Sequence, residues 1–243
     1  MHREHHRWYS PRLNREMELL VVGHAGAPVL VFPTSQGRFY EWEDRGMLEL
    51  LRWQVDNGWL QFYCVDSVDA ESWYCRWAHP GGRAYRQTQY DDYLYHEVLP
   101  LIRHRNANPF LITVGASFGA YHAMSFGLKH PDAVRRVIGL SGVYDIRRWA
   151  GGFQNEHVYL NNPVQFVEGE RDPHRLSLLH QMDIIMATGG AKTRSSRAPA
   201  TCRASSGAKA SATPSANGMA GRTTGTTGGA CSPSTSTGTI EWE

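Results

Sequence analysis

Short runs of consecutive apolar residues, each bounded by turn residues, are the feature that most limits what this chain can fold into. Residues 28–33 (PVLVFP) form one such run, of the kind that a strand buried on both faces requires. Segments with helical spacing of apolar residues alternate with these runs. The pattern predicts strands over residues 16–22, 28–33, 60–65, 110–114, 137–140 and 183–187, and helices over residues 44–57, 90–103 and 118–129. Such alternation is typical of a mostly parallel α/β sheet with helices on both faces, where sites lie at the carboxyl ends of the strands.

The composition changes near residue 187 and divides the chain. From residue 187 to the end, 43 of 57 residues are Gly, Ala, Ser, Thr or Pro. A segment of this kind has too few apolar side chains to bury a core. We therefore expect a folded body over residues 1–187 and a low-complexity, disordered tail over residues 188–243. The tail holds six of the 25 Lys and Arg residues, spread thinly and without interleaved aromatic residues, so no nucleic-acid partner is expected.

Three further features of the sequence favour a cytoplasmic protein. No apolar run reaches the roughly 18 residues that a membrane span needs, so no membrane association is expected. Residues 1–7 carry three His and two Arg with no apolar stretch behind them, unlike a secretory signal. The four cysteines are scattered and form no C-x-x-C pair, which argues against a disulfide framework and against a metal site of that type.

A G-x-S-x-G motif, Gly115 to Gly119, stands between an apolar run (LITV) and an apolar helical segment (AYHAMSFGL). In this context the motif is a nucleophile elbow, a tight strand-to-helix turn that exposes its serine. Small residues two before and two after Ser117 let the strand and helix approach, and Gly115 and Gly119 meet that need. The first amide of the helix, that of Phe118, can stabilise the oxyanion formed when Ser117 attacks an acyl carbon. A purely structural turn is the alternative interpretation.

A second oxyanion donor is expected from the loop that follows the strand over residues 28–33. The loop has the sequence PTSQG, and the backbone N–H groups of Ser35 and Gln36 are the candidate donors. The alternative is an ordinary turn built on Pro33 and Gly37.

Five segments together resemble a known group of enzymes. They are the G-x-S-F-G elbow with Tyr121 and His122 behind it, FPTSQGRFYEWEDRGM (32–47), CVDSVDAESWY (64–74), SGVYDI (141–146) and NNPVQF (161–166). Over residues 3–189 the chain resembles the esterase D-like group of the α/β-hydrolase superfamily. The resemblance implies an α/β-hydrolase fold, a Ser-Asp-His triad, a small-molecule ester substrate, and neither a metal nor an organic cofactor. It also implies that Ser117 is the nucleophile, with the Phe118 N–H and the loop after Pro33 as the oxyanion hole.

The acid and base of such a triad are difficult to place in this chain. In the α/β-hydrolase fold both follow the serine, on loops after the last strands. The downstream candidates are His122, His130, His157, His174 and His180 for the base and Asp145 and Asp172 for the acid. His122 and His130 belong to the elbow helix, the other histidines precede the last predicted strand, and after Asp183 the chain has neither Asp nor His. We therefore expect an incomplete triad.

The tail has the composition that GC-rich coding DNA yields when it is translated out of frame. When the third base of each codon is joined to the first two of the next, residues 206–211 permit W-S-K-G-I and residues 217–231 permit W-D-G-W-A-H-D-W-x-x-W-R-R-M. A Gly/Trp-rich turn that presents a histidine followed by Asp and Trp is the C-terminal motif of the resembled group. We therefore expect a frameshift near Thr188, with the C-terminal part of the fold lost.

These observations predict a serine carboxylic ester hydrolase that acts through an acyl-enzyme on Ser117 and is impaired in this chain. Two alternatives stay open: an acyltransferase of the same fold, which admits an alcohol in place of water, and a non-catalytic member of the fold that binds ligands. Loss of the last strand and helix is expected to expose apolar sheet surface and to promote aggregation. Assembly into a homo-oligomer is a further interpretation that the sequence leaves open.

Overall fold

A computed structural model describes residues 1–189 and 194–195, and eight strands there form one sheet. The strands are β1 (Arg3–Ser10), β2 (Arg15–Val22), β3 (Ala27–Phe32), β4 (Leu60–Val65), β5 (Leu111–Ala116), β6 (Val134–Leu140), β7 (Asp183–Ala187) and β8 (Arg194–Ser195). Their order across the sheet is β1-β2-β4-β3-β5-β6-β7-β8. The central strands β4, β3, β5, β6 and β7 are mutually parallel, whereas β2 and β8 pair antiparallel with their neighbours.

Helices connect the parallel strands and cover both faces of the sheet. They are α1 (Glu41–Asp44), α2 (Met47–Leu50), α3 (Arg52–Asp56), α4 (Pro80–Tyr93), α5 (Leu99–Arg105), α6 (Phe118–Lys129), α7 (Arg147–Ala150), α8 (Glu156–Leu160), α9 (Pro163–Gly169) and α10 (Pro173–Gln181). One π-helical turn, Leu94–Val98, joins α4 to α5. The predicted mostly parallel α/β sheet is confirmed. None of the described helices is long and apolar enough to span a membrane.

The two faces of the sheet belong to separate apolar cores, which explains the continuous apolar runs. Alternate residues of a strand point to opposite faces. On β3, Leu30 and Phe32 pack into the core that also holds residues of α4, α5 and α6, and Val29 and Val31 pack into the core that holds residues of α1, α2 and α3. Because both faces are covered, most positions of a central strand must be apolar.

Several elements differ from the sequence expectation, and two of these differences have a clear local cause. The helix expected over residues 44–57 is three short helices, because Gly46 takes a left-handed conformation with φ of 70° after α1 and Leu51 leaves helical geometry between α2 and α3. The apolar pattern does not predict strand β1. Its sequence REHHRWYS alternates exposed residues with partly buried ones that are mostly polar. An edge strand of this kind carries a period of two without the apolar signal that reveals it.

Strand β7 ends at Ala187, the last residue of the predicted body. The predicted division at residue 187 and the disorder and frameshift expected for residues 188–243 fall almost entirely outside the described residues. The described exceptions are residues 188–189 and the two residues of β8. The tail therefore stays a prediction.

Candidate active site

Ser117 is the single residue between β5 and α6, at the carboxyl edge of the sheet. Its backbone has φ 54° and ψ −119°, a conformation that residues with a side chain rarely adopt. Ser117 is exposed, while Phe118 and Gly119 behind it are buried. The Ser117 N–H donates to the carbonyl of Leu140 at 2.8 Å, which ties the turn to the end of β6. Strain of this kind, held by the surrounding fold, is typical of a functional turn that presents a nucleophile.

The two glycines of the motif make this turn possible. A Cβ on Gly115 would overlap the backbone of Gly119, and a Cβ on Gly119 would overlap the carbonyl oxygens of Phe32 and Pro33. The first contact shows how closely α6 returns over β5. The second shows that α6 packs directly on the end of β3, where the loop over residues 33–37 begins. The glycines therefore bring the elbow and this loop together.

The predicted oxyanion donor Gln36 is already engaged. Its N–H donates to Oδ2 of Asp69 at 2.9 Å, so this amide cannot also meet an oxyanion. The expectation for Gln36 is therefore corrected: Asp69, which follows β4, lies where it captures this N–H. Gln36 itself has φ 56°, the left-handed region that favours glycine.

Ser35 keeps a free backbone donor in the same loop. The N–H of Thr34 donates to the Glu41 carboxylate at 2.6 Å, and the N–H of Gly37 donates to the carbonyl of Thr34 at 2.9 Å. Within the described part of the chain, the Ser35 N–H has no hydrogen-bond acceptor, and the Ser35 hydroxyl lies 2.7 Å from the hydroxyl of Tyr74. Of the two predicted loop donors, Ser35 is the one that remains available.

A second carboxylate from the end of β4 anchors the far side of this loop. Asp66 accepts from Nε of Arg38 at 2.7 Å and from the N–H of Phe39 at 3.3 Å. Burial raises the pKa of Asp66 above its ordinary value, although Arg38 acts in the opposite direction. Asp66 and Asp69 thus hold the loop from both sides.

Asp69 also forms a buried pair with His122 of the elbow helix. Nε2 of His122 lies 2.7 Å from Oδ1 of Asp69, and the side chains are 1% and 0% exposed. Nδ1 of His122 lies 3.3 Å from the side-chain nitrogen of Gln87. Both ring nitrogens are engaged away from Ser117, so His122 is not the triad base. This geometry agrees with the placement of His122 on the elbow helix and not on a loop after the last strands.

Comparison with known proteins assigns the family. Residues 63–211, more than half of the chain, match the family model described as "Putative esterase". The chain belongs to this esterase family. The matched range ends inside the segment expected to be out of frame. A search of curated proteins finds no match.

Solved structures of esterases share the fold of this family member. A ferulic acid esterase is 17% identical, with a TM-score of 0.57 over 74% of this chain and 76% of that chain. An S-formylglutathione hydrolase from Agrobacterium tumefaciens is 16% identical, with a TM-score of 0.57 over 77% and 85%. The fluorophosphonate-binding serine hydrolase F of Staphylococcus aureus is 15% identical, with a TM-score of 0.52 over 78% and 79%. The α/β-hydrolase fold and the resemblance to the esterase D-like group are confirmed, and by family the chain is an esterase.

The other histidines that follow Ser117 in the sequence are also not placed as the triad base. Nε2 of His130 lies 3.2 Å from Oδ2 of Asp91, and the ring stacks on Tyr95. Nδ1 of His157 lies 3.2 Å from the hydroxyl of Thr88. His174 and His180 are exposed on α10, before β7. None of these positions follows the last parallel strand, where the fold places its base.

The two candidate acids also have other partners. Asp145 pairs with Arg147, whose hydrogen bond lowers the pKa of the carboxyl. Asp172 caps α10 by accepting from the backbone N–H of His174 at 2.8 Å. Neither carboxylate bonds to a histidine ring of the described chain. Among the described residues no group of three or more His, Cys, Asp or Glu is arranged to hold a metal ion.

Aromatic side chains that the sequence analysis did not single out border the elbow. The rings of Tyr74 and Trp149 lie 5.0 Å and 5.2 Å from the ring of Phe118, the residue after the serine. Both are half-buried, and the hydroxyl of Tyr74 contacts Ser35. Tyr74 lies on the segment between β4 and α4, whereas Trp149 lies on α7, so no local sequence pattern brings the two rings together.

Proposed function

We propose that Ser117 is the nucleophile of a carboxylic ester hydrolase. The observation that carries this proposal is the exposed, strained serine on a glycine-framed turn between β5 and α6. The Ser117 hydroxyl attacks the ester carbonyl, the alcohol leaves, and water then releases the acid from the acyl-enzyme. The N–H groups of Phe118 and Ser35 donate to the oxyanion that forms in each step.

We further propose that turnover in this chain is impaired because the triad lacks its base and acid. The histidines after Ser117 in the described chain are engaged elsewhere or precede β7, and no His or Asp follows Asp183 in the sequence. Loss of the triad base costs about 10⁴-fold or more in kcat, while an oxyanion hole alone retains about 10³-fold acceleration over water. We expect slow but measurable hydrolysis of activated esters.

The position of the break supports a shifted reading frame. β7 ends at Ala187, and the acid and base of the fold belong on the segments that follow the last strands. A frameshift near Thr188 would replace those segments and leave the body over residues 1–187 intact. We propose this division of the chain, with a small-molecule ester as its partner, no nucleic-acid partner and a cytoplasmic location.

The rings around the elbow suggest the kind of ester. Tyr74 and Trp149 form a half-buried aromatic wall against Phe118, and such a wall favours contact with an apolar or aromatic group of the substrate. We propose that one side of the ester bond carries such a group. Replacement of Trp149 by Ala should raise KM for an aromatic ester more than for an acetate ester.

A non-catalytic ligand-binding protein is the second candidate, and the missing base favours it. A fluorophosphonate probe separates the two functions. We expect intact-mass analysis to show one adduct on Ser117 after prolonged incubation, with none in Ser117→Ala and an unchanged adduct in the control Ser177→Ala on α10. A folded chain that takes up no adduct at Ser117 would support the binding role instead. A product ratio that shifts when an alcohol is added would identify an acyltransferase.

A further inference from the structure

A buried chain of hydrogen bonds reaches the oxyanion loop from the interior. The hydroxyl of Ser72 donates to Oε1 of Gln87 at 3.2 Å. The side-chain nitrogen of Gln87 lies 3.3 Å from Nδ1 of His122, and Nε2 of His122 lies 2.7 Å from Asp69. Asp69 then accepts the backbone N–H of Gln36 at 2.9 Å. This series of hydrogen bonds therefore ends on Gln36, the one residue of the loop that has a left-handed backbone.

The donors and acceptors of this hydrogen-bond network match when Gln87 donates to His122 and His122 donates to the Asp69 carboxylate, which can only accept. Gln87 presents its NH₂ to Nδ1 of His122, so the His122 proton stands on Nε2 and is donated to Asp69. The rings of Phe32, Tyr90 and Phe118 surround the imidazole. Because these groups are buried, loss of one partner leaves the next without a substitute from water.

The backbone of Gln36 depends on this support. A residue with a side chain is strained at φ 56° and stays there only when its surroundings hold it. Gln36 is exposed, so its side chain supplies little of that restraint; its N–H bond to Asp69 does. The peptide that carries this N–H begins at Ser35, so holding it restricts the direction in which the neighbouring Ser35 N–H points.

We propose that the Asp69–His122 pair is a positioning device that aims the oxyanion hole. The inference rests on the proposed function of Ser117. His122 lies on α6, whose first residue, Phe118, supplies one oxyanion donor, and Asp69 holds the loop whose Ser35 supplies the other. The pair thus fixes both donors to one rigid unit, which is what preorganised stabilisation of an oxyanion requires. Asp69 and His122 do not touch the substrate.

The double variant Asp69→Leu/His122→Phe tests the role without leaving an unpaired buried group between the two residues. Replacing both partners of a buried hydrogen bond by apolar groups of similar size is tolerated better than removing one. We expect the melting temperature to fall by only a few degrees, because an aromatic cage already surrounds position 122 and the amide nitrogen of Gln87 is the one buried group that loses its partner. With the acceptor for Gln36 gone, kcat for hydrolysis of p-nitrophenyl acetate should fall about 100-fold, while KM changes less than about threefold.

Two single variants complete the comparison. In Asp69→Asn, the amide oxygen can still accept from Gln36, while its NH₂ faces a His122 whose proton has moved to Nδ1 and a Gln87 amide that has flipped. This variant should keep kcat within about fivefold of the parent value. Thr113→Val is the matched control, because it removes a buried hydrogen bond from Thr113 to the carbonyl of Ala123 on the same helix without touching the loop. Its kcat should stay near that of the parent.

Hydrogen exchange at the Gln36 amide gives a readout that does not depend on activity. Exchange should be slow in the parent and in Asp69→Asn and fast in the double variant. A folded double variant with parental kcat, a loss of kcat that Thr113→Val matches, or unchanged exchange at Gln36 would overturn the inference. If Ser117→Ala hydrolyses the ester as fast as the parent, the proposed function fails instead, and the exchange data still decide whether the pair holds the loop.

Discussion

At the scale of single residues, the elbow depends on positions where a side chain has no room. Gly119 lets the start of α6 rest on the carbonyl oxygens of Phe32 and Pro33, which brings the Ser117 turn against the loop after β3. The same approach brings the amides of Phe118 and Ser35 to one edge of the sheet. Close packing at Gly119 and exposure at Ser117 are therefore two parts of one local geometry.

Replacement of Gly119 by Ala should move the start of α6 away from the loop after β3. The new Cβ must push α6 away from backbone atoms, which cannot move aside as the end of a side chain can. We expect a loss of about 1–3 kcal/mol in the free energy of unfolding, measured in urea, together with loss of ester hydrolysis. In Gly82→Ala on α4 the Cβ meets no atom within 4 Å, so this control should gain up to about 1 kcal/mol. Equal behaviour of the two variants would contradict the packing argument.

The sequence predicts the serine and its glycines because they form one contiguous motif with a defined flanking pattern. It also predicts that the second oxyanion donor lies in the loop over residues 33–37, but it does not separate Ser35 from Gln36. That distinction depends on Asp69, which lies 33 residues further along the chain and captures the Gln36 amide. The pairing of Asp69 with His122 is equally nonlocal, so no periodicity reveals it.

At the scale of secondary-structure elements, charge ties α4 to the end of the elbow helix. Asp91 on α4 lies 3.5 Å from Nζ of Lys129 and 3.2 Å from Nε2 of His130. Burial disfavours the charged carboxyl, but Lys129 and His130 outweigh it and hold the pKa of Asp91 below its ordinary value. The cluster borders a cavity of about 410 Å³ between these helices and residues of α8, α9 and α10.

The lowered pKa of Asp91 predicts how stability changes with acid. A carboxyl with a lowered folded pKa stabilises the protein above its unfolded pKa of about 3.9, and this contribution is lost as pH falls through the folded pKa. Asp91→Asn should therefore reduce the free energy of unfolding by about 1–3 kcal/mol at pH 7 and by much less at pH 2.5.

Urea unfolding at the two pH values measures the difference. The exposed Asp132 supplies the control, since Asp132→Asn should change little at either pH. A deficit in Asp91→Asn that is as large at pH 2.5 as at pH 7 would show that packing, and not charge, is responsible.

Elements buried on both faces are the ones that the sequence predicts best. β3, β4 and β5 lie within two residues of their expected ends because nearly all of their positions are apolar, the polar exceptions being Gln61 and Thr113. The prediction of one helix over residues 44–57 is wrong, since apolar spacing does not show that Gly46 adopts a left-handed conformation and interrupts the helix. Strand β1 escapes prediction because its side chains are mostly polar, although its backbone pairs with β2 along its whole length.

At the scale of the whole molecule, one part of the sheet has less apolar cover than the rest. Ile138, Leu140 and Ile185, on β6 and β7, are only partly buried, whereas Val29 and Val31 on the same face of β3 are fully buried. This is the side on which we expect the sheet of a frame-restored chain to continue. The exposure of apolar sheet surface that we expect from a lost C-terminal part would centre on these three partly buried positions.

Restoring the reading frame near Thr188 should therefore change the physical behaviour of the protein. A last strand and helix that cover Ile138, Leu140 and Ile185 would bury apolar area worth about 25 cal/mol per Å². We expect the restored chain to melt at a higher temperature, to bind less of a hydrophobic dye and to elute as a sharper peak in size-exclusion chromatography. A restored chain with the melting temperature and dye binding of the original would contradict this expectation.

The central claim is that an esterase body carries its nucleophile at Ser117 but has been separated from its acid and base. The most direct test compares kcat for p-nitrophenyl acetate in the chain as written, in the frame-restored chain and in Ser117→Ala of the restored chain. We predict that restoration raises kcat by about 10³-fold or more and that Ser117→Ala removes the gain. Equal turnover by the original and restored chains, or a gain that survives Ser117→Ala, would contradict the account.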